Sequence, residues 1–172
     1  MTLFPLYQAT RKSDNPDGDS IATPILSTQN TWLGEGYYFW DGFMELPHWW
    51  GQVHYNNNYA INEAKVELDD SEYFDLVGST SNMQEFASAY HSLRSLFPEE
   101  NITVKAVLAV MKSSGIYTFK VIRARTEHKI PGSERIRFMY PDKSYMLTIP
   151  AIQLCVQDIY CIKQYRKIFE SE

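Results

Sequence analysis

The chain has 172 residues, 44% hydrophobic and 22% charged, the balance of one folded domain spanning 1–172 and not of a disordered chain. Its net charge of −5, with 21 acidic residues against 16 Lys and Arg, excludes nucleic acid or an anionic membrane as the default partner, because both are held through Lys and Arg. Aromatic residues make up 15%, with 4 Trp, 12 Tyr and 9 Phe against 8 Gly, and they crowd between Trp32 and Tyr59.

In chain order, Leu3 to Thr10 reads as a short strand that ends in a polar loop, Arg11 to Ser20. That loop contains the turn signal Asn15-Pro16-Asp17-Gly18. Ile21 to Thr31 is ambiguous: Ile21, Ile25 and Leu26 share a helical face, but Pro24 restricts where a helix can begin. Gly34-Glu35-Gly36 introduces an aromatic strand, Tyr37 to Trp40. Asp41 is placed to cap a short helix with Phe43, Met44, Trp49 and Trp50, whose regularity Pro47 limits. Tyr59 to Asp69 alternates like a half-buried strand, and Tyr73 to Val77 is a second, shorter one.

Ser81 to Phe97 is the best helix. Ser81 with Gln84 fits a capping box, and Met83, Phe86, Tyr90, Leu93 and Phe97 form a stripe expected in the core. Thr103 to Met111 reads as another helix. Tyr117 to Arg123, Arg135 to Tyr140 and Ile152 to Val156 are strand candidates, divided by Pro131-Gly132 and Pro141-Asp142. Tyr160 to Phe169 fits a strand or a closing helix. Strands mixed with two central helices, without regular alternation, predict an α+β fold. The basic stretch Lys120 to Arg137, interrupted by Glu127 and Glu134, reads as a solvated mixed face.

Cys155 and Cys161 are too few for a disulfide scaffold and read as small buried thiols. No cysteine pair or histidine cluster has metal-ligand spacing. Met1 to Tyr7 lacks the pattern of a secretory signal, and no apolar run reaches membrane-spanning length. The expectation is a cytoplasmic protein with no membrane partner.

Two segments carry chemistry. Gly34 and Gly36 can bring backbone close to a ligand, and Tyr37-Tyr38-Phe39 then offers aromatic faces, an arrangement suited to a flat amide-bearing ring. Together with Leu6-Tyr7-Gln8-Ala9-Thr10, this order resembles the ADP-ribosyltransferase superfamily, in the branch shared by diphtheria toxin and poly(ADP-ribose) polymerases. Those proteins carry Leu-Tyr-His-Gly-Thr, then Gly-x-Gly-x-Tyr-Phe, then a second aromatic about ten residues on, and a glutamate on a late strand. The matching positions here are Tyr38 for the tyrosine, Trp49 or Trp50 for the second aromatic, and Gln153, in Ala151-Ile152-Gln153-Leu154-Cys155-Val156, for the glutamate.

The resemblance implies a split β-sheet core, two packed sheets with peripheral helices outside, and a cleft between them that takes NAD as substrate. Gln8, Tyr38 and Gln153 would form the catalytic set. Ala9, Thr10, Gly34, Gly36, Tyr38 and Trp49 or Trp50 would hold the dinucleotide, with no metal. Three positions depart from the pattern: Gln8 replaces a histidine, Ala9 a glycine and Gln153 a glutamate. A carboxylate stabilises the oxocarbenium-like state formed when nicotinamide leaves, and a neutral amide does not. Three readings therefore stand: transfer of ADP-ribose to an unknown acceptor, assisted by Glu35, Asp41 or Asp158; a pseudoenzyme that binds NAD or ADP-ribose; or an aromatic-rich carbohydrate-binding or protein-interaction module built on Trp40, Trp49, Trp50, Tyr55 and Asn56-Asn57-Asn58. His48 and His54 read as surface or packing histidines.

Overall fold

A computed structural model describes residues 1–14, 22–141 and 143–172. The expected turn at Asn15-Pro16-Asp17-Gly18, together with Ile21 and Asp142, lies outside them. The described strands are β1 (Thr2–Arg11), β2 (Leu26–Ser27), β3 (Gly36–Asp41), β4 (Tyr59–Glu67), β5 (Tyr73–Asp75), β6 (Val121–Arg125), β7 (Arg135–Arg137), β8 (Tyr145–Leu147), β9 (Ile152–Val156) and β10 (Ile162–Glu170). The helices are α1 (Glu45–Tyr55), α2 (Thr80–Leu96) and α3 (Val104–Ser113). The fold is α+β, as expected, with a helix at each of the three segments read as helical: the short one after Asp41 and the two central ones.

The expected pair of packed sheets is, by hydrogen bonding, one eight-stranded sheet. Its order is β10-β4-β1-β3-β9-β6-β5, with β2 also on β3. All pairings are antiparallel except β5 with β6. The sheet is nevertheless weakly joined at its middle. β1 meets β3 only at Leu6↔Asp41 and Tyr7↔Trp40, while β2 takes the other end of β3 at Tyr37 and Gly36. Gln8 to Arg11 therefore pair with β4 alone.

One face of the sheet folds around its own core of Leu6, Phe39, Ala64, Val66, Val121, Leu154 and Val156. Tyr73 of β5 and Tyr165 of β10, from opposite ends of the strand order, pack on this same cluster. The sheet therefore curls around this core, with both of its end strands packed against it. The outer face carries the helices. α1 lies on β1 and β4 through Leu46, Tyr7, Tyr59 and Ile61, while α3 covers β6 and β9 with Val107, Leu108 and Met111.

Several local expectations change. Asp41 does not cap α1; it closes β3 and accepts from Arg123 Nε at 2.7 Å, and Met44 occupies the cap position. Pro47 is tolerated because it sits in the first helical turn, where an N–H has no intrahelical partner. The cap of α2 is Ser79, whose Oγ accepts from Asn82 N at 3.2 Å, and not Ser81. The stripe on α2 is not fully core: Phe86, Tyr90 and Leu93 are half-buried, but Met83 is 37% and Phe97 52% exposed. β6 starts four residues later than expected, since Tyr117 and Phe119 leave the sheet edge to pack on Phe74. Arg135 to Arg137 belongs to a separate hairpin with β8. No helix of the described residues is long and apolar enough to cross a membrane.

Candidate functional site

Where β1 and β3 part, the outer face opens into a cavity of about 640 Å³, within the range of small-molecule sites. Its lining comes from distant segments: Gln8, Ala9 and Thr10 of β1, Tyr38 and Trp40 of β3, Trp50 and His54 of α1, His128 after β6, and Gln153 of β9. Of the residues expected in the site, Gln8, Ala9, Thr10, Tyr38, Trp50 and Gln153 line the cavity. Gly34, Gly36 and Trp49 do not.

The two glycines have local reasons. Gly34 adopts φ +100°, and its carbonyl accepts from the Tyr38 hydroxyl at 2.8 Å. A Cβ on Gly36 would lie 2.6 Å from Cys155 Sγ and 2.8 Å from the Val156 carbonyl oxygen, so close contact with β9 requires glycine. Trp49 stands behind the lining, with its ring 6.1 Å from Trp40 and 6.0 Å from Trp50. Trp50 itself stacks on His54 at 3.8 Å, which gives the cavity a two-ring aromatic wall.

Gln8 has every hydrogen-bonding position of its amide filled. Nε2 donates to the carbonyls of Ile25 (3.0 Å) and Tyr38 (3.2 Å), while Oε1 accepts from Ile25 N (2.9 Å) and the Tyr165 hydroxyl (2.8 Å). It stitches β1, β3, β10 and the chain before β2 together where the sheet ladder is missing. Thr10 is also engaged: its hydroxyl accepts from Asn62 Nδ2 at 3.1 Å. The Tyr38 hydroxyl accepts from Leu33 N at 2.9 Å as well as donating to Gly34. Burial pushes its ionisation well above the ordinary phenol range, so it remains a donor at neutral pH.

Gln153 is 7% exposed, and its Oε1 accepts from the Trp32 indole Nε1 at 2.8 Å. None of Glu35, Asp41 and Asp158 lines the cavity. Asp41 is held by Arg123, and Asp158 caps the turn at Ile159–Cys161 while facing Lys120 at 3.4 Å. Among the described lining residues Asp14 is the one carboxylate, and Lys and Arg are missing from that set. An aromatic, hydrogen-bonding cavity whose described lining holds a single carboxylate suits a ring that stacks and hydroxyls that pair. Among the described residues, no three His, Cys, Asp or Glu side chains gather as a metal site.

Sequence reasoning missed Trp32, Asp14, Thr126 and His128, and set His54 aside as packing. Trp32 was visible as the first member of the aromatic stretch, but its partner lies 121 residues away. Nothing in the local spacing marks Asp14 or His128. The other histidine, His48, is a packing residue: its Nδ1 pairs with the Tyr59 hydroxyl at 2.9 Å, and burial lowers its basicity. Asn56 and Asn57, both left-handed, turn α1 into β4 and do not line the cavity. Compared with family models, curated proteins and solved structures, the chain matches none.

Proposed function

We propose that the chain is an ADP-ribosyltransferase-like domain that binds NAD or ADP-ribose in the cavity between β1 and β3. The observation that carries this reading is the composition of that one space. Ala9 and Thr10, Tyr38, Trp50 and Gln153 come from four separate segments, and all border it. The resemblance expects nicotinamide between Tyr38 and an aromatic of the Trp49-Trp50 pair, and Trp50 is the member that lines the cavity.

Binding is favoured over rapid turnover. Breaking the ribose–nicotinamide bond builds positive charge on the sugar, and Gln153 offers a neutral amide in its place. Loss of one such electrostatic element raises a barrier by about 3 kcal/mol, roughly a hundredfold in rate. A carbohydrate platform is disfavoured because Trp40 is buried, while Asn56 and Asn57 serve the turn after α1.

Calorimetric titration with NAD, ADP-ribose and simple sugars tests the reading, alongside an assay for released nicotinamide. Saturable binding of a nucleotide ligand, lost in Trp50→Ala, is expected. No binding of NAD or ADP-ribose at millimolar concentration, or binding of sugars alone, would falsify it.

A further inference from the structure

An indole N–H only donates. With Trp32 Nε1 at 2.8 Å, the Gln153 atom facing it must be the oxygen, and the amide nitrogen must face away. No described residue accepts from that nitrogen, and yet no buried side-chain nitrogen or oxygen of the described residues is left without a partner. The Gln153 NH₂ is therefore reached through the cavity that Gln153 lines. The resemblance implies an acceptor at this point, but the molecule presents a fixed donor.

We infer that Trp32 and Gln153 make this cavity select ADP-ribose over NAD. The inference rests on the reading above, which sets the nicotinamide-side ribose against Gln153. In NAD that ribose carries a cationic pyridinium ring at C1″. In ADP-ribose the same carbon carries a neutral hydroxyl whose oxygen accepts a hydrogen bond. The amide N–H bonds the hydroxyl and opposes the adjacent positive charge, so both effects favour ADP-ribose. Trp32 acts as a positioning residue: without its indole, the amide can rotate and offer its oxygen to the cavity. The same geometry makes the site a holder of the finished group and a poor place to generate it.

The test is calorimetry at neutral pH with free ADP-ribose and NAD as probes, on the full chain and on Gln153→Glu and Trp32→Phe. The expected result is about tenfold tighter binding of ADP-ribose by the unaltered chain, roughly one net hydrogen bond in affinity. Gln153→Glu should invert the ratio by attracting the pyridinium, and Trp32→Phe should bring it toward one. A side-chain amide NMR signal assigned to Gln153 by its loss in Gln153→Glu should shift with ADP-ribose and move less with NAD. Equal or tighter binding of NAD by the unaltered chain, or an unchanged ratio in Gln153→Glu, overturns the preference and leaves nucleotide binding standing. Failure of both probes to bind overturns the nucleotide reading itself.

Discussion

Gln8 holds four hydrogen bonds beside the gap between β1 and β3, to the chain before β2, to β3 and to β10, so its substitution reaches three parts of the fold at once. Gln8→Ala should cost about 4 kcal/mol, since each of the four bonds contributes about 1 kcal/mol net. Urea denaturation measures it, and a loss below 1 kcal/mol would refute the stitching role. Gln8→Glu should be worse, because a carboxylate cannot donate to the Ile25 and Tyr38 carbonyls. The position of Gln8 on a strand beside the site was legible from the Leu-Tyr-x-x-Thr order. Its saturation was not, because Ile25, Tyr38 and Tyr165 come from three remote points in the chain. Cys155 follows the same pattern: apolar neighbours announced a buried thiol, and burial pushes its ionisation up to about 12. It should stay unreactive toward thiol reagents at pH 8 until the chain unfolds.

The helices show where periodicity informs and where it misleads. β9 appears at its expected bounds, Ile152–Val156, because the short run between Pro150 and Gln157-Asp158 suits a buried strand and is too short for a helix. β10 resisted assignment for a physical reason. Register shifts between Ile162 and Gln164 and between Lys167 and Phe169 break the two-residue alternation that marks a strand. The α2 stripe has helical spacing, but it packs on α3 and β5, away from the centre of the sheet, so its end residues stay wet. Its start is testable: Ser79→Ala should destabilise by about 1 kcal/mol through loss of the cap, while Ser81→Ala should have little effect. Equal losses at both positions would return the cap to Ser81. In α1, alanine at Gly51 would favour the isolated helix by about 1 kcal/mol. Here, however, its Cβ would fall 2.3 Å from the Tyr59 ring. Gly51→Ala should therefore lower the melting temperature, because overpacking against β4 outweighs propensity.

Taken whole, the molecule is a curled sheet with a seam, and its buried ionisable groups sit along that curl. Burial raises the ionisation of Tyr38, Tyr73 and Tyr165 above the usual phenol value of 10.0, and that of Cys155 above 9.0. As pH rises past 9 the unfolded chain releases these protons first, so it binds fewer than the folded one. Stability must then fall with pH, beginning near 9 and continuing above 10. Urea midpoints measured from pH 7 to 11 should decline in that window, and Tyr165→Phe should flatten the decline while weakening the seam at pH 7. A midpoint unchanged between pH 8 and 11 would contradict the burial of these groups. The dense aromatic stretch has a consequence of a different kind. All four tryptophans, Trp32, Trp40, Trp49 and Trp50, line the cavity or back its wall. The ultraviolet emission of this protein is therefore the emission of its site. With no indole elsewhere in the chain to dilute the signal, a stacking base or ring entering the cavity should quench most of it, which makes the unlabelled chain its own optical sensor of occupancy.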